Sequence, residues 1–336
     1  MKIGIIGCGR IFRHYIDTIS TNCSFNISAV YDNKPAVRDI YRDTFHTYDR
    51  MEDLTNSDVE LVCILTPSGT HYDIAKQCIG AGKNVLVEKP LALRVSDAES
   101  LIKIATDHGK RLYCGFQNRF NVAIESAKQV LKQGLIGDII SCHVALEWCR
   151  YQDYYNDEWH GRWSMDGGVI AQQAIHHVDS ALYLLGTPVR VVGLGRNVSN
   201  SLEAEDTFAG LIHLDNHLTV TLSATTAYRP EDRSASIKIL GTNGVISIGG
   251  IGLNTYSLCA GGYQAESIED FQNVYGNGHS KLFNAIYKDI RQGTTHPALD
   301  LKLSELTTSV ISAFYRSWET GSWTTVGTDI SAQWGL

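Results

Sequence analysis

The chain opens on Lys2-Ile3-Gly4-Ile5-Ile6, passes at once through Gly7-Cys8-Gly9, and continues with Ile11, Phe12, Tyr15, Ile16 and Ile19 at helical spacing. A continuous apolar run, a glycine turn and an amphipathic stretch in that order describe a strand buried on both faces that hands over to a helix. The rhythm recurs, with further strands expected at Ile27–Tyr31, Val59–Leu65, Asn84–Val87 and Arg111–Cys114. Helical stretches lie between them, one opened by a Ser96/Glu99 capping box and ended by Gly109. Strands alternating with helices over the first 118 residues predict an α/β fold built on a doubly wound parallel sheet.

After Phe120 the pattern changes. A helix is expected near 121–133, a long strand near 138–148, an aromatic loop, and a single helix over 169–185. Strands then follow at Val189–Asn197, Thr207–Leu214, His217–Thr225, Ser236–Leu240 and Val245–Ile248, with hairpin turns at Asp215-Asn216 and Thr242-Asn243-Gly244. This predicts an α+β domain with a large open, mostly antiparallel sheet and helices on one face, leaving the other face suited to sheet-to-sheet association. At 336 residues the chain exceeds one comfortable core, and the expected division is 1–118 for a dinucleotide-binding domain and 119–336 for a substrate-binding and oligomerisation domain.

Composition removes several classes of function. With 36 acidic residues against 29 basic ones, a net charge of -7 and no long Lys/Arg run, nucleic acid is not an expected partner. The first residues lack the apolar core and cleavage site of a secretion signal, and no stretch approaches the ~20 apolar residues that cross a bilayer. The eight cysteines, Cys8, Cys23, Cys63, Cys78, Cys114, Cys142, Cys149 and Cys259, form no Cys-x-x-Cys pair. They read as small buried hydrophobes in a reducing, cytoplasmic setting.

Gly7-Cys8-Gly9-Arg10-Ile11-Phe12 lies where a strand becomes a helix, the place where main-chain amides and a helix N-terminus hold a pyrophosphate in a Rossmann domain. Phe12 occupies the position of the third glycine of that fingerprint, so the turn alone is also compatible with a plain structural bend. Asp32, at the end of the second strand, is placed to accept hydrogen bonds from the adenosine ribose and to repel a 2'-phosphate, which favours NAD over NADP. Lys34 and Arg38 follow closely and could partly offset that preference.

Two stretches offer catalytic groups. Glu88-Lys89-Pro90 follows a strand directly, so Lys89 stands at the carboxyl end of a parallel sheet, where its ammonium can hydrogen-bond a substrate hydroxyl. A solvated loop lysine is the alternative. Asp166-Gly167-Gly168 leads into the helix carrying Gln172, His176 and Asp179 on one stripe, beside an apolar stripe of Ile175, Val178, Leu182 and Leu185. His176 can exchange the hydroxyl proton, whereas its neighbour His177 reads as a structural histidine. A metal held by His176, Asp179, His160 and His71 is not expected, because the chain lacks clustered ligand spacing.

Gly7-Cys8-Gly9, Thr66-Pro67-Ser68-Gly69-Thr70-His71, Ala81-Gly82-Lys83, Glu88-Lys89-Pro90 and Gly167-Gly168 through His176 to Asp179 occur in one order. Together they resemble the glucose-fructose oxidoreductase / inositol dehydrogenase / MocA family over essentially the whole chain. The resemblance implies that Lys89 and His176 are catalytic and flank the nicotinamide. It implies that Gly7, Gly9, Arg10, Ile11, Asp32, Thr66, Pro67, His71, Glu88 and Lys89 line the cofactor, and that a homodimer or homotetramer forms through the C-terminal sheet. Where many members carry an aspartate, this chain has Gln172, which can orient a hydroxyl but cannot share the acid-base work.

The middle of the chain narrows the likeness. Gln117-Asn118-Arg119-Phe120-Asn121, Tyr151-Gln152-Asp153-Tyr154-Tyr155, Trp159, Gly161, Trp163 and Asp166-Gly167-Gly168 resemble bacterial nucleotide-sugar 3-dehydrogenases acting on UDP-N-acetylglucosaminuronate. That branch carries Arg, Pro and Asn where this chain has His160, Tyr151 and Gln172. Arg162 is the candidate replacement for the missing cation. The expected substrate residues are Gln117, Arg119, Tyr155, Arg162 and Gln172. The cluster of Trp148, Tyr151, Tyr154, Tyr155, Trp159 and Trp163 suits either ring stacking on a sugar or base, or loop packing.

The expected activity is hydride transfer between NAD and a secondary sugar hydroxyl, at C3 of a nucleotide-linked sugar. A keto-sugar reductase and an inositol or free-sugar dehydrogenase are the alternatives within the same chemistry. A non-catalytic NAD-binding sensor is the alternative of another class.

Overall fold

The computed structural model describes every residue except 23, 271–273 and 328–330. In chain order the elements are β1 (Lys2–Ile6), α1 (Arg10–Ser20), β2 (Asn26–Tyr31), α2 (Pro35–Tyr41), α3 (Met51–Asn56), β3 (Leu61–Ile64), α4 (His71–Gly80), β4 (Asn84–Val87), α5 (Val95–Asp107) and β5 (Leu112–Cys114). They continue with α6 (Val122–Lys132), β6 (Ile139–Glu147), α7 (Val169–Gln172), α8 (Ile175–Leu185), β7 (Pro188–Arg196), β8 (Thr207–Leu214), β9 (Thr219–Thr225), β10 (Ser234–Gly241) and β11 (Gly244–Gly249). The last are β12 (Thr255–Ala260), β13 (Tyr263–Ile268), α9 (Gly278–Gln292), α10 (Leu301–Thr320) and β14 (Thr324–Thr325).

Two compact units result. The first comprises Met1–Gln117 together with His279–Glu305, and the second comprises Asn118–Gly278 together with Leu306–Leu336. A single division of the chain near residue 118 therefore does not describe the structure, because a late segment returns to the first unit.

In the first unit the sheet order is β2-β1-β3-β4-β5, parallel throughout. Its strands are buried on both faces, which is why they read as unbroken apolar runs. α1 turns Phe12, Tyr15 and Ile19 inward. α5 is ended at Gly109, whose φ of 61° is open to glycine, but the capping box is not its start. The helix begins at Val95 with Arg94 as N-cap, which leaves Ser96 inside the first turn. α9 sends Phe283 against Tyr15 and Phe25, and its buried Asp289 accepts the Tyr113 hydroxyl at 2.7 Å.

The second unit holds a nine-stranded sheet in the order β13-β12-β11-β10-β6-β9-β8-β7-β14. All neighbouring pairs are antiparallel except β6 with β9, so the sheet is mixed. α6 and α8 pack on one face, where Cys142, Val144, Leu146, Ile237, Ile239, Ile246 and Ile248 are buried. The alternate positions, such as His143, Ser223, Lys238 and Cys259, are exposed. Both expected hairpins form, one across Asp215–Leu218 with His217 at φ 67°, the other across Thr242-Asn243.

Candidate active site

Four of the five strand ends in the first unit carry residues singled out by sequence, and the parallel sheet brings them to one edge. After β1, Gly7 has φ +96°, and a Cβ there would stand 2.8 Å from the main-chain carbon of Leu65 beyond β3, so glycine is required. Gly9 is the N-cap of α1 and nothing lies within 4 Å of where its Cβ would be. No side chain caps this helix and no acid occupies its first turn. The space beside Gly9 is open and the positive end of the helix dipole lies at it, the chemistry of a phosphate cradle. Arg10 is exposed beside it and Ile11 is half-buried.

Asp32 follows β2. Its Oδ2 accepts the Cys8 amide at 2.9 Å and its Oδ1 the Lys34 amide at 2.9 Å, which fixes a half-exposed carboxylate next to the glycine turn. Burial and this carboxylate push the Cys8 thiol up to about 12, leaving it inert. Arg38 is buried, donating to the Asp32 carbonyl at 2.7 Å and to Asp49 at 3.3 Å, so it does not offset the carboxylate in the way its sequence position suggested. Glycine turn, uncapped helix and fixed acid together fit a dinucleotide that ends in an unphosphorylated ribose.

After β3, Thr66 and Pro67 are half-buried at the same edge. His71 was expected to touch the cofactor. It is instead buried, with Nδ1 2.7 Å from the Pro90 carbonyl and Nε2 2.9 Å from the Thr66 carbonyl. It therefore ties the Thr66 turn to the Lys89-Pro90 turn, and burial lowers its pKa against the opposing pull of those two carbonyls.

After β4, Glu88 is buried and Lys89 half-buried. Tyr15 donates to Glu88 Oε1 at 2.8 Å, and the Lys89 amide donates to Oε2 at 3.1 Å. Burial would raise the Glu88 pKa, but His279, the Lys89 charge and Tyr15 outweigh it and lower the value, keeping an anion beneath the lysine. His279 itself contacts His14 at 3.1 Å. Neither Tyr15 nor His279 was singled out by sequence. Tyr15 reads as a core position of α1, and His279 lies in a part of the chain that the sequence reading did not reach. Gln117 is buried, and its Oε1 has no hydrogen-bond partner among the described residues.

In the second unit the expected single helix over 169–185 is broken. The Val169 carbonyl accepts the amides of both Gln173 and Ala174, at 3.1 and 2.8 Å, and α8 restarts at Ile175. Gln172 and His176, both half-buried, thus sit on two separate helical segments rather than on one stripe. Asp179 does not share their exposure. It is fully buried and binds Arg119 at 2.6 and 2.8 Å, with Thr307 donating at 2.9 Å. Arg119 is only 1% exposed, so its guanidinium braces α8 and the expected contact with substrate is not supported. His177 is buried edge-on to Trp148, and burial lowers its pKa to about 4.

The aromatic loop mostly packs. Tyr155 is buried with its hydroxyl 2.7 Å from Thr226, Trp163 meets Tyr315 edge-on, and His160 stacks near Tyr154 and Trp159. Tyr155, expected to orient the substrate, thus has its hydroxyl held by Thr226. Arg162 is exposed, 3.9 Å from Glu203, and Tyr151 is exposed. Among the described cysteines most are buried and none forms a disulfide, but Cys149 is half-buried and Cys259 exposed, and Cys23 lies outside the described residues. Among the described residues no group of three or more His, Cys, Asp or Glu is placed to hold a metal, and no helix is long and apolar enough to cross a membrane.

Comparison with known proteins adds relatives for both units. The chain is 27% identical over 198 residues to inositol 2-dehydrogenase of Rhizobium meliloti (strain 1021), a match covering 57% of each protein. It is 27% identical over 198 residues to scyllo-inositol 2-dehydrogenase (NADP(+)) IolW of Bacillus subtilis (strain 168), covering 57% of this chain and 53% of that one. The matched segment thus spans little more than half the length of these relatives. Among solved structures, the WlbA dehydrogenase from Bordetella pertussis in complex with NADH and UDP-GlcNAcA superposes with a TM-score of 0.89 at 26% identity over 98% of both chains. Residues 1–116 match the oxidoreductase family, NAD-binding Rossmann fold, and residues 124–247 match the GFO/IDH/MocA C-terminal domain. With its fold and both of its domain signatures in agreement, the chain belongs to the Gfo/Idh/MocA oxidoreductase family.

Proposed function

We propose that this protein is an NAD-dependent dehydrogenase that oxidises a secondary hydroxyl of a sugar, at C3 of a nucleotide-linked sugar. The observation that carries the reading is the carboxyl edge of the first sheet, where the Gly7–Gly9 turn, Asp32, Thr66 and the Glu88–Lys89 pair are linked through main-chain and side-chain hydrogen bonds. The likeness to the WlbA dehydrogenase, with its NADH and UDP-GlcNAcA, supports the substrate class.

Bound NAD supplies the hydride acceptor. Gly7, Gly9, Arg10, Ile11 and Asp32 would hold its adenosine and phosphates, and Thr66, Pro67 and Lys89 would line its nicotinamide end. The Lys89 ammonium, on a residue whose main-chain amide is held by the Glu88 carboxylate, donates to the substrate hydroxyl oxygen and stabilises the negative charge that grows on it. His176 accepts the hydroxyl proton. Gln117 and Gln172 orient neighbouring hydroxyls, and exposed Arg162 is the cation available to an acidic substituent. Self-association through the exposed face of the nine-stranded sheet, as a dimer or tetramer, completes the reading, and the lack of a disulfide among the described cysteines fits a cytoplasmic setting.

Lys89→Ala and His176→Ala should each lower kcat by at least ~100-fold while NADH binding, followed by fluorescence, is retained. Turnover at the native rate in both variants would overturn the assignment. A panel of UDP-sugars, inositols and free sugars separates the nucleotide-sugar reading from its nearest alternative, and no turnover with any of them would favour a sensor.

A further inference from the structure

α7 is four residues long, yet the three amides from Gly168 to Ile170 at its start have partners from far along the chain. Gly168 N–H donates to the Tyr315 hydroxyl at 2.9 Å, Val169 N–H to the Glu205 carbonyl at 2.8 Å, and Ile170 N–H to Glu205 Oε1 at 3.0 Å. The Tyr315 hydroxyl donates in turn to Glu205 Oε1 at 3.3 Å. The N-cap, Gly168, has no side chain to offer, and a Cβ there would lie 2.2 Å from Glu205 Oε2. The glycine is therefore the space in which the carboxyl group rests.

Val169 is also where the helix breaks, since its carbonyl takes the amides of both Gln173 and Ala174. The break decides where α8 restarts, and His176 is its second residue. We propose that Glu205 is a positioning residue for His176, holding Val169 and Ile170 through its carbonyl and carboxyl groups and so fixing the helix break that aims the imidazole. This rests on reading His176 as the proton acceptor.

The chemistry suits an uncharged acid. Glu205 is fully buried, and burial pushes its carboxyl up to about 8, against the Ile170 amide and the Tyr315 hydroxyl and with the help of neighbouring Asp206. The titratable groups around it are Tyr315 from α10, Asp206 beside it in the chain and Asp166, which acts on Tyr315. At neutral pH the group accepts on one oxygen, as a glutamine amide would. At higher pH it becomes an anion, and no cation stands among the described groups that act on it.

The test compares Glu205→Gln and Glu205→Ala in the full chain, reading kcat and KM against pH, NADH affinity, and the ring resonances of 13C-labelled His176. Glu205→Gln should keep kcat within about twofold of the parent at pH 7 and should remove the fall in kcat that the parent enters above pH 8. Glu205→Ala should lose at least about tenfold in kcat with NADH affinity unchanged, and should shift the His176 resonances. Native kcat and an unmoved His176 signal in Glu205→Ala would overturn the proposal, as would a Gln variant as impaired as Ala. If the Ala variant fails to fold, the alkaline limb decides, and identical pH profiles for the parent and Glu205→Gln would overturn it. Full turnover in His176→Ala would sink the proton-acceptor reading alone, and the resonance shift in Glu205→Ala would still report on the positioning role.

Discussion

The two units place their candidate site residues by opposite means. In the first, Gly7, Asp32, Thr66 and Lys89 each follow a parallel strand within two residues, and short main-chain bonds such as Cys8 N–H to Asp32 do the rest. In the second, Gln172 and His176 are aimed by partners 35 and 147 positions away from the amides they hold. Beneath them lie the buried Arg119–Asp179 pair and the buried His177. The first arrangement follows from a general rule of parallel sheets. The second depends on groups that burial makes costly to disturb, so damage there should register as lost stability, and damage in the first as lost binding.

The sharpest trial of that contrast is Arg119→Ala. It strands the Asp179 carboxylate in the interior, and urea unfolding should register a loss of about 3 to 5 kcal/mol. A loss below about 1 kcal/mol would mean that the second unit is no more brittle than the first.

His177 comes next. Its folded pKa of about 4 lies below the ordinary 6.5, so between these values the unfolded chain binds the extra proton. Stability should therefore fall as pH drops through that window, by about 1.4 kcal/mol per pH unit at most, and His177→Gln should flatten the slope. Denaturation midpoints at pH 7 and pH 4.5 check this, and parallel slopes for parent and variant would remove the histidine from the account.

The glycine turn divides the contrast within three residues. Gly7→Ala meets Leu65 and a positive φ and should cost about 1 to 3 kcal/mol. Gly9→Ala meets nothing and should leave stability within about 0.5 kcal/mol while weakening NADH binding. Equal melting losses in the two variants would deny that the turn is an open cradle. Asp32→Ala should shift the NADP-to-NAD ratio of kcat/KM by about tenfold, or 1.4 kcal/mol, with the unfolding midpoint nearly unmoved.

The same contrast governs how much could be read in advance. The strands of the first sheet fall within two residues of their expected positions because burial on both faces leaves unbroken apolar runs in the sequence. β7 to β11 are legible from alternation and turns. The break after Gln172 is not, since the apolar spacing runs through it and its cause, Glu205, lies on another stretch of chain. Arg119 and Tyr155 read as ligand contacts because a sequence gives residue type without exposure, and the structure finds both buried and held by Asp179 and Thr226. β12, β13, α9 and α10 lie beyond Ile248, the last residue of the strands that the sequence pattern predicts. β13 in particular is almost wholly exposed and carries no burial pattern to detect.

The return of His279–Glu305 to the first unit bears on modularity. A fragment ending at Gln117 would lack Phe283 and Tyr287 against Phe25, and the carboxylate that receives the Tyr113 hydroxyl. Swapping cofactor preference between relatives by exchanging the front third of the gene would thus graft an unfinished module. A functional transplant has to carry the late helical segment with it, so recombination among such enzymes is constrained to two cuts that travel together.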